Sequence, residues 1–309
     1  MSMRKVLALS AIPSALLAYG WARYQKAVDE LDRYQPASPV LPGTLHAIPT
    51  TFGTVSYRII TGDPRQPPLV LIHGWGRTGD SAWWTIVWKT DRTMILVDLP
   101  GHGRSRLNGP FSLDLAAESV IRIIKHAELE DPVIVGHSMG GAVALLVGRK
   151  LGRRISHIGI IASSAFWVRP KVAVTLAAAP YVMAPNSPII IRRQHRQAIQ
   201  VPNEAGRVVW EYAARPARST LEATARALKS FDARKWDRSD MAPITWMVTK
   251  ADGIIDPDEQ VTSARIFTED IVEVQAEHSV VMDNPDIVAP FLELLGARTT
   301  RPAHQVVDL

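Results

Sequence analysis

The segment Gly136-His137-Ser138-Met139-Gly140-Gly141 constrains the fold of this chain more than any other feature. An apolar run at 132–135 precedes it, as in a short buried strand, and a helix-like apolar run at 142–147 follows it. A Gly-x-Ser-x-Gly turn between a strand and a helix is the nucleophile-elbow pattern, which exposes the serine side chain. Glycine at 136 and 140 removes Cβ atoms that would collide in such a turn. Taken alone, the motif also fits a glycine-rich turn in a parallel sheet.

Two more glycine-containing segments directly follow predicted buried strands. Residues 69–72 are wholly apolar and run into His73-Gly74-Trp75-Gly76, and the apolar residues 94–97 run into the segment 98–105. Short apolar strands that alternate with helical stretches indicate a parallel sheet that is covered on both faces. Functional groups collect at the carboxyl ends of such strands, where all three motifs would lie.

In this combination and order, the three motifs resemble those of the α/β-hydrolase superfamily, and the resemblance covers about 52–295. It implies an α/β fold with a mostly parallel sheet, flanking helices and an inserted helical cap. We expect the core at 44–163 and 241–297, the helical cap at 164–240, and a tail at 298–309. The cap range contains many prolines and interrupts the alternation of strands and helices.

A serine hydroxyl is a weak nucleophile at neutral pH and needs a general base, which is usually a histidine held by a carboxylate. The resemblance implies the chain order serine, acid, histidine. Four histidines follow Ser138: His157 begins a predicted strand, His195 falls in the cap and His304 in the tail, whereas His278 follows the last predicted strand. His278 is therefore the predicted base, and the alternative is a surface-loop histidine.

Two aspartates compete for the role of the acid. Asp252 follows the strand that ends near Val248, at the position that the family resemblance implies. Asp256 comes four residues later and precedes Pro257, which is typical of a residue that caps a helix. We therefore predict a catalytic triad of Ser138, Asp252 and His278.

The resemblance also implies an oxyanion hole formed by the backbone N–H groups of Trp75 and Met139. Trp83 and Trp84 are candidates for the substrate pocket, but tryptophan is equally common as a packing residue. No metal-ligand spacing and no dinucleotide fingerprint occurs in the sequence, so we expect neither a metal nor a cofactor.

Several polar residues near these motifs are expected to have structural roles. We expect His73 to fix its loop, and His137 to be a structural neighbour of the serine. Asp98, His102 and Arg104 are expected to hold their own loop through hydrogen bonds and an ion pair.

Composition excludes several classes of protein. The chain has no cysteine, which excludes disulfides, a cysteine nucleophile and thiolate metal sites. Its formal net charge of +5 is scattered, and no nucleic-acid motif accompanies it, so we expect no nucleic-acid partner. The oligomeric state stays open.

The N-terminal region, 1–43, is predicted to be an apolar anchor or signal segment followed by a linker. Arg4 and Lys5 precede an apolar stretch at 6–22, and Trp21 and Tyr24 resemble residues of a membrane interface. We favour membrane association through this stretch. The alternatives are secretion after signal cleavage, or a cytoplasmic protein whose helix packs on the domain.

These features together predict a serine hydrolase that cleaves carboxylic esters through an acyl-enzyme on Ser138. The apolar segment at 172–183 and the N-terminal stretch favour a lipophilic ester, such as a small-molecule or lipid ester, although 172–183 also fits a cap helix packed on the domain. The same triad serves acyltransferases, carbon–carbon bond hydrolases and cofactor-free peroxidases. A non-enzymatic, ligand-binding member of the fold is the remaining alternative.

Overall fold

The structure is a computed structural model that describes residues 41–166 and 217–299 of the 309-residue chain, together with Ala22. The predicted membrane stretch at 6–22 lies outside these ranges apart from its last residue, and most of the predicted cap and tail also lie outside them. Within the described ranges, no helix is both long and apolar enough to cross a bilayer.

A nine-stranded mixed sheet forms the centre of the described structure. Its strands are β1 (Thr44–Thr50), β2 (Gly53–Ile60), β3 (Leu69–Ile72), β4 (Met94–Asp98), β5 (Arg106–Leu107), β6 (Val133–His137), β7 (His157–Ile161), β8 (Ile244–Thr249) and β9 (Ile271–Val274). The order across the sheet is β1-β2-β4-β3-β6-β7-β8-β9, and the short β5 pairs with β2. In this order across the sheet, every neighbouring pair from β4 through β3 to β9 is parallel. The pairs of β2 with β1, β4 and β5 are antiparallel.

The central strands are continuous apolar runs because both faces of the sheet are covered. All residues of β3, β4, β6, β7 and β8 are buried, whereas the edge strand β1 alternates between exposed and half-buried residues. In β3, Val70 and Ile72 belong to one core cluster, and Leu69 and Leu71 belong to the cluster on the opposite face. This burial confirms the fold that the apolar runs predict.

Seven α-helices are described. They are α1 (Gly79–Trp83), α2 (Leu113–His126), α3 (Met139–Leu151), α4 (Arg218–Lys229), α5 (Pro257–Phe267), α6 (Val280–Asp283) and α7 (Pro285–Thr299). Helices α2 and α3 contribute to the core cluster on one face of the sheet, and α1, α6 and α7 contribute to the cluster on the other. Helix α4 falls in the range predicted for the cap, and the division into core and cap stays a prediction.

Helix ends follow ordinary capping chemistry. Ser112 caps α2, because its side chain accepts a hydrogen bond of 3.1 Å from the backbone N–H of Leu115. Asp256 caps α5 in the same way, with a hydrogen bond of 3.0 Å from the backbone N–H of Asp258 and Pro257 as the first helical residue. These helices place their N-termini, or the loops before them, at the carboxyl edge of the parallel strands.

Candidate active site

The structure brings Ser138, Asp252 and His278 together at the carboxyl edge of the sheet. Nε2 of His278 lies 2.9 Å from Oγ of Ser138, and Nδ1 lies 2.8 Å from Oδ2 of Asp252. The imidazole side chain is 14% exposed and the Asp252 side chain is fully buried. The serine lies between β6 and α3, the aspartate between β8 and α5, and the histidine between β9 and α6. Three loops therefore form one continuous chain of hydrogen bonds.

Ser138 has a strained backbone conformation. Its φ of 53° and ψ of −119° lie in a region that residues other than glycine rarely adopt. Three hydrogen bonds hold this conformation: its N–H donates to Ile161 at 3.0 Å, and its carbonyl accepts from the N–H of Gly141 at 2.9 Å and from Oγ of Ser163 at 2.7 Å. The turn therefore holds the hydroxyl towards His278 at the N-terminus of α3.

Close backbone packing explains both glycines of the Gly-x-Ser-x-Gly motif. A Cβ atom on Gly136 would overlap the carbonyl group of Gly140, and a Cβ atom on Gly140 would overlap the carbonyl oxygen of Ile72. The first turn of α3 thus lies directly against the ends of β3 and β6. Any larger residue at either position would displace the serine.

Asp252 and Asp256 have different roles in the structure. Asp252 accepts hydrogen bonds from the backbone N–H groups of Ile254 at 2.8 Å and Ile255 at 2.9 Å, in addition to the contact with His278. Burial acts to raise the pKa of Asp252, but the hydrogen bond and charge of His278 and these two N–H groups outweigh it, so the pKa lies below its ordinary value. The carboxylate is therefore ionised at neutral pH, whereas Asp256 caps α5.

His137 holds the loop that carries His278. Its Nε2 lies 2.7 Å from the backbone oxygen of His278, and because a carbonyl oxygen only accepts, Nε2 carries the proton. Burial lowers the pKa of His137 to about 3, so the ring is neutral. Sequence analysis predicts a structural role for His137, but it does not predict this contact with the main chain 141 residues away.

We expect His137→Leu to lower kcat about tenfold or more, with a smaller effect on KM, because the His278 loop loses its anchor and sub-ångström alignment is needed for proton transfer. His137→Gln keeps an N–H donor at a similar reach and is expected to recover most of the activity. Steady-state kinetics on a p-nitrophenyl ester measures both variants, and thermal unfolding checks that they are folded. Equal activity of His137→Leu and wild type would contradict the anchoring role.

Of the two residues predicted for the oxyanion hole, Met139 directly follows the serine, and Trp75 directly follows a turn that packs against it. Met139 is the first residue of α3, so its N–H has no acceptor within the helix. The turn at Gly74 packs against the serine, since a Cβ atom on Gly74 would lie 3.2 Å from Cβ of Ser138. Trp75 follows directly, and its indole N–H donates to Oγ1 of Thr224 on α4 at 2.7 Å. This contact ties the turn to α4, which the sequence alone does not indicate.

The two tryptophans proposed for the substrate pocket both contact the hydrophobic core, and Trp84 is half-buried. Trp83 is completely buried in the core cluster that α1, α6 and α7 contribute to, and Trp84 packs against the same cluster. Trp83 therefore packs in the core, and the role of either tryptophan in a substrate pocket stays a prediction. Among the described residues, no group of three or more His, Cys, Asp or Glu side chains is arranged to hold a metal ion.

The loops after β3 and β4 are fixed by buried polar contacts. Nδ1 of His73 lies 2.7 Å from the carbonyl oxygen of Gly74, and Nε2 accepts from the N–H of Leu99 at 3.1 Å. Asp98 accepts from the N–H of Arg104 at 3.0 Å, and the Arg104 guanidinium lies 3.1 Å from Oδ2 of Asp80. These contacts agree with the structural roles expected for His73, Asp98 and Arg104, whereas Asp80 is an addition that the sequence did not indicate.

Buried histidines make the stability of the fold sensitive to acid. Burial lowers the pKa of His102 from 6.5 to about 4 and that of His137 from 6.5 to about 3, and it also lowers the pKa of His73 well below 6.5. The unfolded chain binds these protons first, so the stabilisation is complete above about pH 6.5 and is lost as the pH falls. Burial raises the pKa of Asp98 to about 6, so the folded state takes up this proton before the unfolded chain does. The resulting stabilisation is present at low pH and is lost as the pH rises towards 6, which opposes the effect of the histidines.

We expect the three histidines to outweigh Asp98, so the midpoint of thermal unfolding should fall as the pH drops from about 6.5 to 4.5. His102 alone accounts for up to about 3 kcal/mol of unfolding free energy across its pKa range. The variant His102→Asn keeps a donor near the carbonyl of Pro100 and is expected to show a shallower pH dependence. Constant stability of the wild type across this interval would contradict the prediction.

Known proteins resemble this chain over most of its length. The alpha/beta hydrolase family matches residues 69–291, which is most of the chain.

Three curated relatives match shorter segments. An acetyltransferase component of an acetoin cleaving system from Pseudomonas putida is 38% identical over 31% of this chain and 27% of its own. A magnesium-chelatase 30 kDa subunit from Rhodobacter capsulatus is 33% identical over 45% of this chain and 51% of its own. A pimeloyl-[acyl-carrier protein] methyl ester esterase from Sodalis glossinidius is 40% identical over 31% of this chain and 36% of its own.

The chain thus spans between about a quarter and a half of the length of these relatives.

Solved structures match over greater lengths. A thermophilic esterase from Thermogutta terrifontis has a TM-score of 0.67 and 21% identity, over 83% of this chain and all of its own. An enol-lactonase from Burkholderia xenovorans LB400 has a TM-score of 0.67 and 16% identity, over 81% and 99% of the two chains. At these identities, the likeness shows the fold, and the matched family covers the motifs at 73–76, 98–105 and 136–141. This chain belongs to the alpha/beta hydrolase family.

Proposed function

We propose that the protein is a serine hydrolase that cleaves carboxylic esters through an acyl-enzyme on Ser138. The observation that carries the proposal is the continuous hydrogen-bonded chain from Ser138 Oγ through His278 to Asp252, with distances of 2.9 and 2.8 Å. Nucleophile, base and orienting carboxylate are the parts that acyl transfer needs, and they lie here within direct reach of one another. The esterase named among the relatives supports the same substrate class.

Acylation begins with attack by Ser138 Oγ on the ester carbonyl, while Nε2 of His278 takes the hydroxyl proton. Asp252 stabilises the imidazolium and remains ionised. The negative charge on the carbonyl oxygen is stabilised by the backbone N–H groups of Met139 and Trp75, and each such donor contributes about 3 kcal/mol to lowering the barrier. The intermediate collapses when His278 gives its proton to the leaving alkoxide, which departs as an alcohol.

Deacylation repeats these steps with water. His278 removes a proton from a water molecule that attacks the acyl-enzyme, and the second tetrahedral intermediate expels Ser138 Oγ. The proton returns to the serine, and the carboxylic acid leaves. The neutral His137 and the ionised Asp252 hold the imidazole throughout, because they bind its backbone carbonyl and its Nδ1.

The acyl group is proposed to be lipophilic. Ile254, in the same loop as Asp252, is 42% exposed, and the apolar segment 172–183 falls in the range predicted for the cap. An apolar lining would favour longer acyl chains because burial contributes about 0.8 kcal/mol per methylene. A series of p-nitrophenyl esters from acetate to decanoate tests this, and kcat/KM is expected to rise with chain length. A preference for acetate would contradict the lipophilic substrate.

Acyl transfer to an acceptor other than water is a second candidate, and one relative, matched over 27% of its own length, is named as an acetyltransferase component. The acyl-enzyme is the same, and an alcohol replaces water as the acceptor. Product analysis with added short alcohols separates the two functions. Hydrolysis predicts free acid as the main product, whereas transfer predicts the new ester even when the alcohol is dilute.

Membrane association through 6–22 is a further proposal, supported by the apolar run of that stretch and by Arg4 and Lys5, which precede it. Fractionation of cells that express the full chain tests it. Recovery of the intact protein with the membranes, and its release by detergent but not by salt, is expected. Recovery in the soluble fraction without detergent would contradict it.

A further inference from the structure

The carboxylate of Asp252 is unusually rich in hydrogen-bond donors. Oδ1 accepts from the N–H groups of Ile254 and Ile255, at 2.8 and 2.9 Å. Oδ2 lies 2.8 Å from Nδ1 of His278, 2.9 Å from Oγ1 of Thr249 and 2.9 Å from Nε2 of Gln260. Two side chains that belong to neither the triad nor its loop therefore share the oxygen that faces the imidazole.

The orientation of Gln260 follows from its other contacts. Its Oε1 accepts from the backbone N–H of Thr249 at 3.1 Å, and its Nε2 donates to the carbonyl oxygen of Ile255 at 3.0 Å. A backbone N–H only donates and a carbonyl only accepts, so the amide group must present Nε2 to Asp252. Gln260 is completely buried on α5, and Thr249 is completely buried at the end of β8.

The Thr249 hydroxyl has two acceptors within reach. Oδ2 of Asp252 lies at 2.9 Å and Oε1 of Gln260 at 3.2 Å. An ionised carboxylate is the stronger acceptor, so the hydroxyl proton is directed to Asp252. Hydrogen bonds from Thr249 and Gln260 thus converge on one oxygen from two directions.

We propose that Thr249 and Gln260 are positioning residues that fix the Asp252 carboxylate and limit the negative charge it presents to His278. The proposal rests on the serine-hydrolase function given above. Each donor withdraws charge from Oδ2, so the imidazolium is held less strongly than it would be by a carboxylate without these partners. Loss of either donor would therefore strengthen the attraction between the Asp252 carboxylate and the His278 imidazolium.

Among the described residues, the other groups that contact the imidazole do not supply this effect. Ser138 contacts Nε2, and the His137 ring, with its centroid 5.1 Å away, is neutral at working pH because burial lowers its pKa to about 3. The Arg77 cation interacts with His137 and disfavours its protonation. Asp252 is the carboxylate that forms a hydrogen bond with the ring. Removal of the hydrogen bonds that Thr249 and Gln260 donate to Asp252 therefore changes its interaction with His278 directly.

The pH dependence of Ser138 labelling by a fluorophosphonate tests this inference without a known substrate. Labelling requires His278 as the base, so the pH profile of the labelling rate reports how strongly Asp252 holds the imidazolium. Thr249→Val keeps the shape of the side chain and removes the hydroxyl, and Gln260→Met keeps its length and removes the N–H donor. Each variant is expected to move the midpoint of the profile upward by about half a pH unit or more.

Two controls separate positioning from packing. Thr249→Ser retains the hydroxyl and is expected to restore the wild-type midpoint. Thr245→Val is a matched change on the same strand, because Thr245 is also fully buried and its hydroxyl donates to Asp270, which is not part of the triad. This variant is expected to leave the midpoint unchanged.

Thr249→Val decides the outcome, since Gln260→Met also removes the acceptor for the N–H of Thr249 and could fail to fold. A wild-type midpoint in Thr249→Val, or an equal shift in Thr245→Val, would overturn the inference while the wild-type profile still supports the triad. If the wild-type protein is not labelled at Ser138 at any pH, the proposed function itself fails. The two failures are therefore distinguishable.

Discussion

Ser138→Ala is expected to lower kcat/KM for ester hydrolysis by about 10⁴- to 10⁶-fold, because no acyl-enzyme forms without the hydroxyl. The remaining rate would come from the oxyanion donors and substrate binding alone. Alanine at this position has the same backbone strain as serine, since neither residue favours the φ of 53°. The variant should therefore remain folded, and the loss should appear in kcat.

Steady-state hydrolysis of a p-nitrophenyl ester measures the effect, with thermal unfolding as a check on the fold. Ser119→Ala is a suitable control, because Ser119 is fully buried on α2 and its hydroxyl donates to the carbonyl of Ala116. It is expected to retain activity close to that of the wild type. Activity in Ser138→Ala within tenfold of the wild type would show that another nucleophile performs the reaction.

Asp252→Asn is expected to lower kcat by about 10³- to 10⁴-fold. The amide has nearly the same shape as the carboxylate, but it does not stabilise the imidazolium. If its NH₂ group faces Nδ1, it also favours the wrong tautomer of His278. The side chain would in addition meet donors from Ile254, Ile255, Thr249 and Gln260, which are arranged for an anion.

Asp256→Asn is the matched control, since it makes the same chemical change four residues away. Asparagine caps helices about as well as aspartate, so both stability and kcat should stay near the wild-type values. The two variants therefore test the choice of Asp252 over Asp256 as the acid, which the sequence analysis based only on their positions after the strand and before Pro257. A large loss of kcat in Asp256→Asn with little loss in Asp252→Asn would reverse the assignment.

The fold and the choice of the three triad side chains, Ser138, Asp252 and His278, could be predicted from the sequence. Buried parallel strands are continuous apolar runs, and the glycines around Ser138 are required by backbone contacts within the turn itself. The order of the motifs along the chain then indicates which strand ends carry the aspartate and the histidine. The apolar runs and the glycines are local signals, whereas the order serine, acid, histidine is what the resemblance to the family implies.

The supporting contacts could not be predicted in this way, because they depend on packing between distant segments. The bond from His137 to the His278 backbone joins residues 141 positions apart, and that from Trp75 to Thr224 joins residues 149 positions apart. Gln260 reaches Asp252 only because α5 folds back on β8, and nothing in the residues around Gln260 marks it. The burial of Trp83 likewise depends on the helices packed over it.

The most direct test of the account is fluorophosphonate labelling followed by peptide mapping. The account predicts a single adduct on Ser138 in the wild-type protein, none at that position in Ser138→Ala, and labelling slowed by orders of magnitude in His278→Ala. An adduct on another residue, or labelling of Ser138 at the wild-type rate in His278→Ala, would contradict the claim that His278 activates this serine.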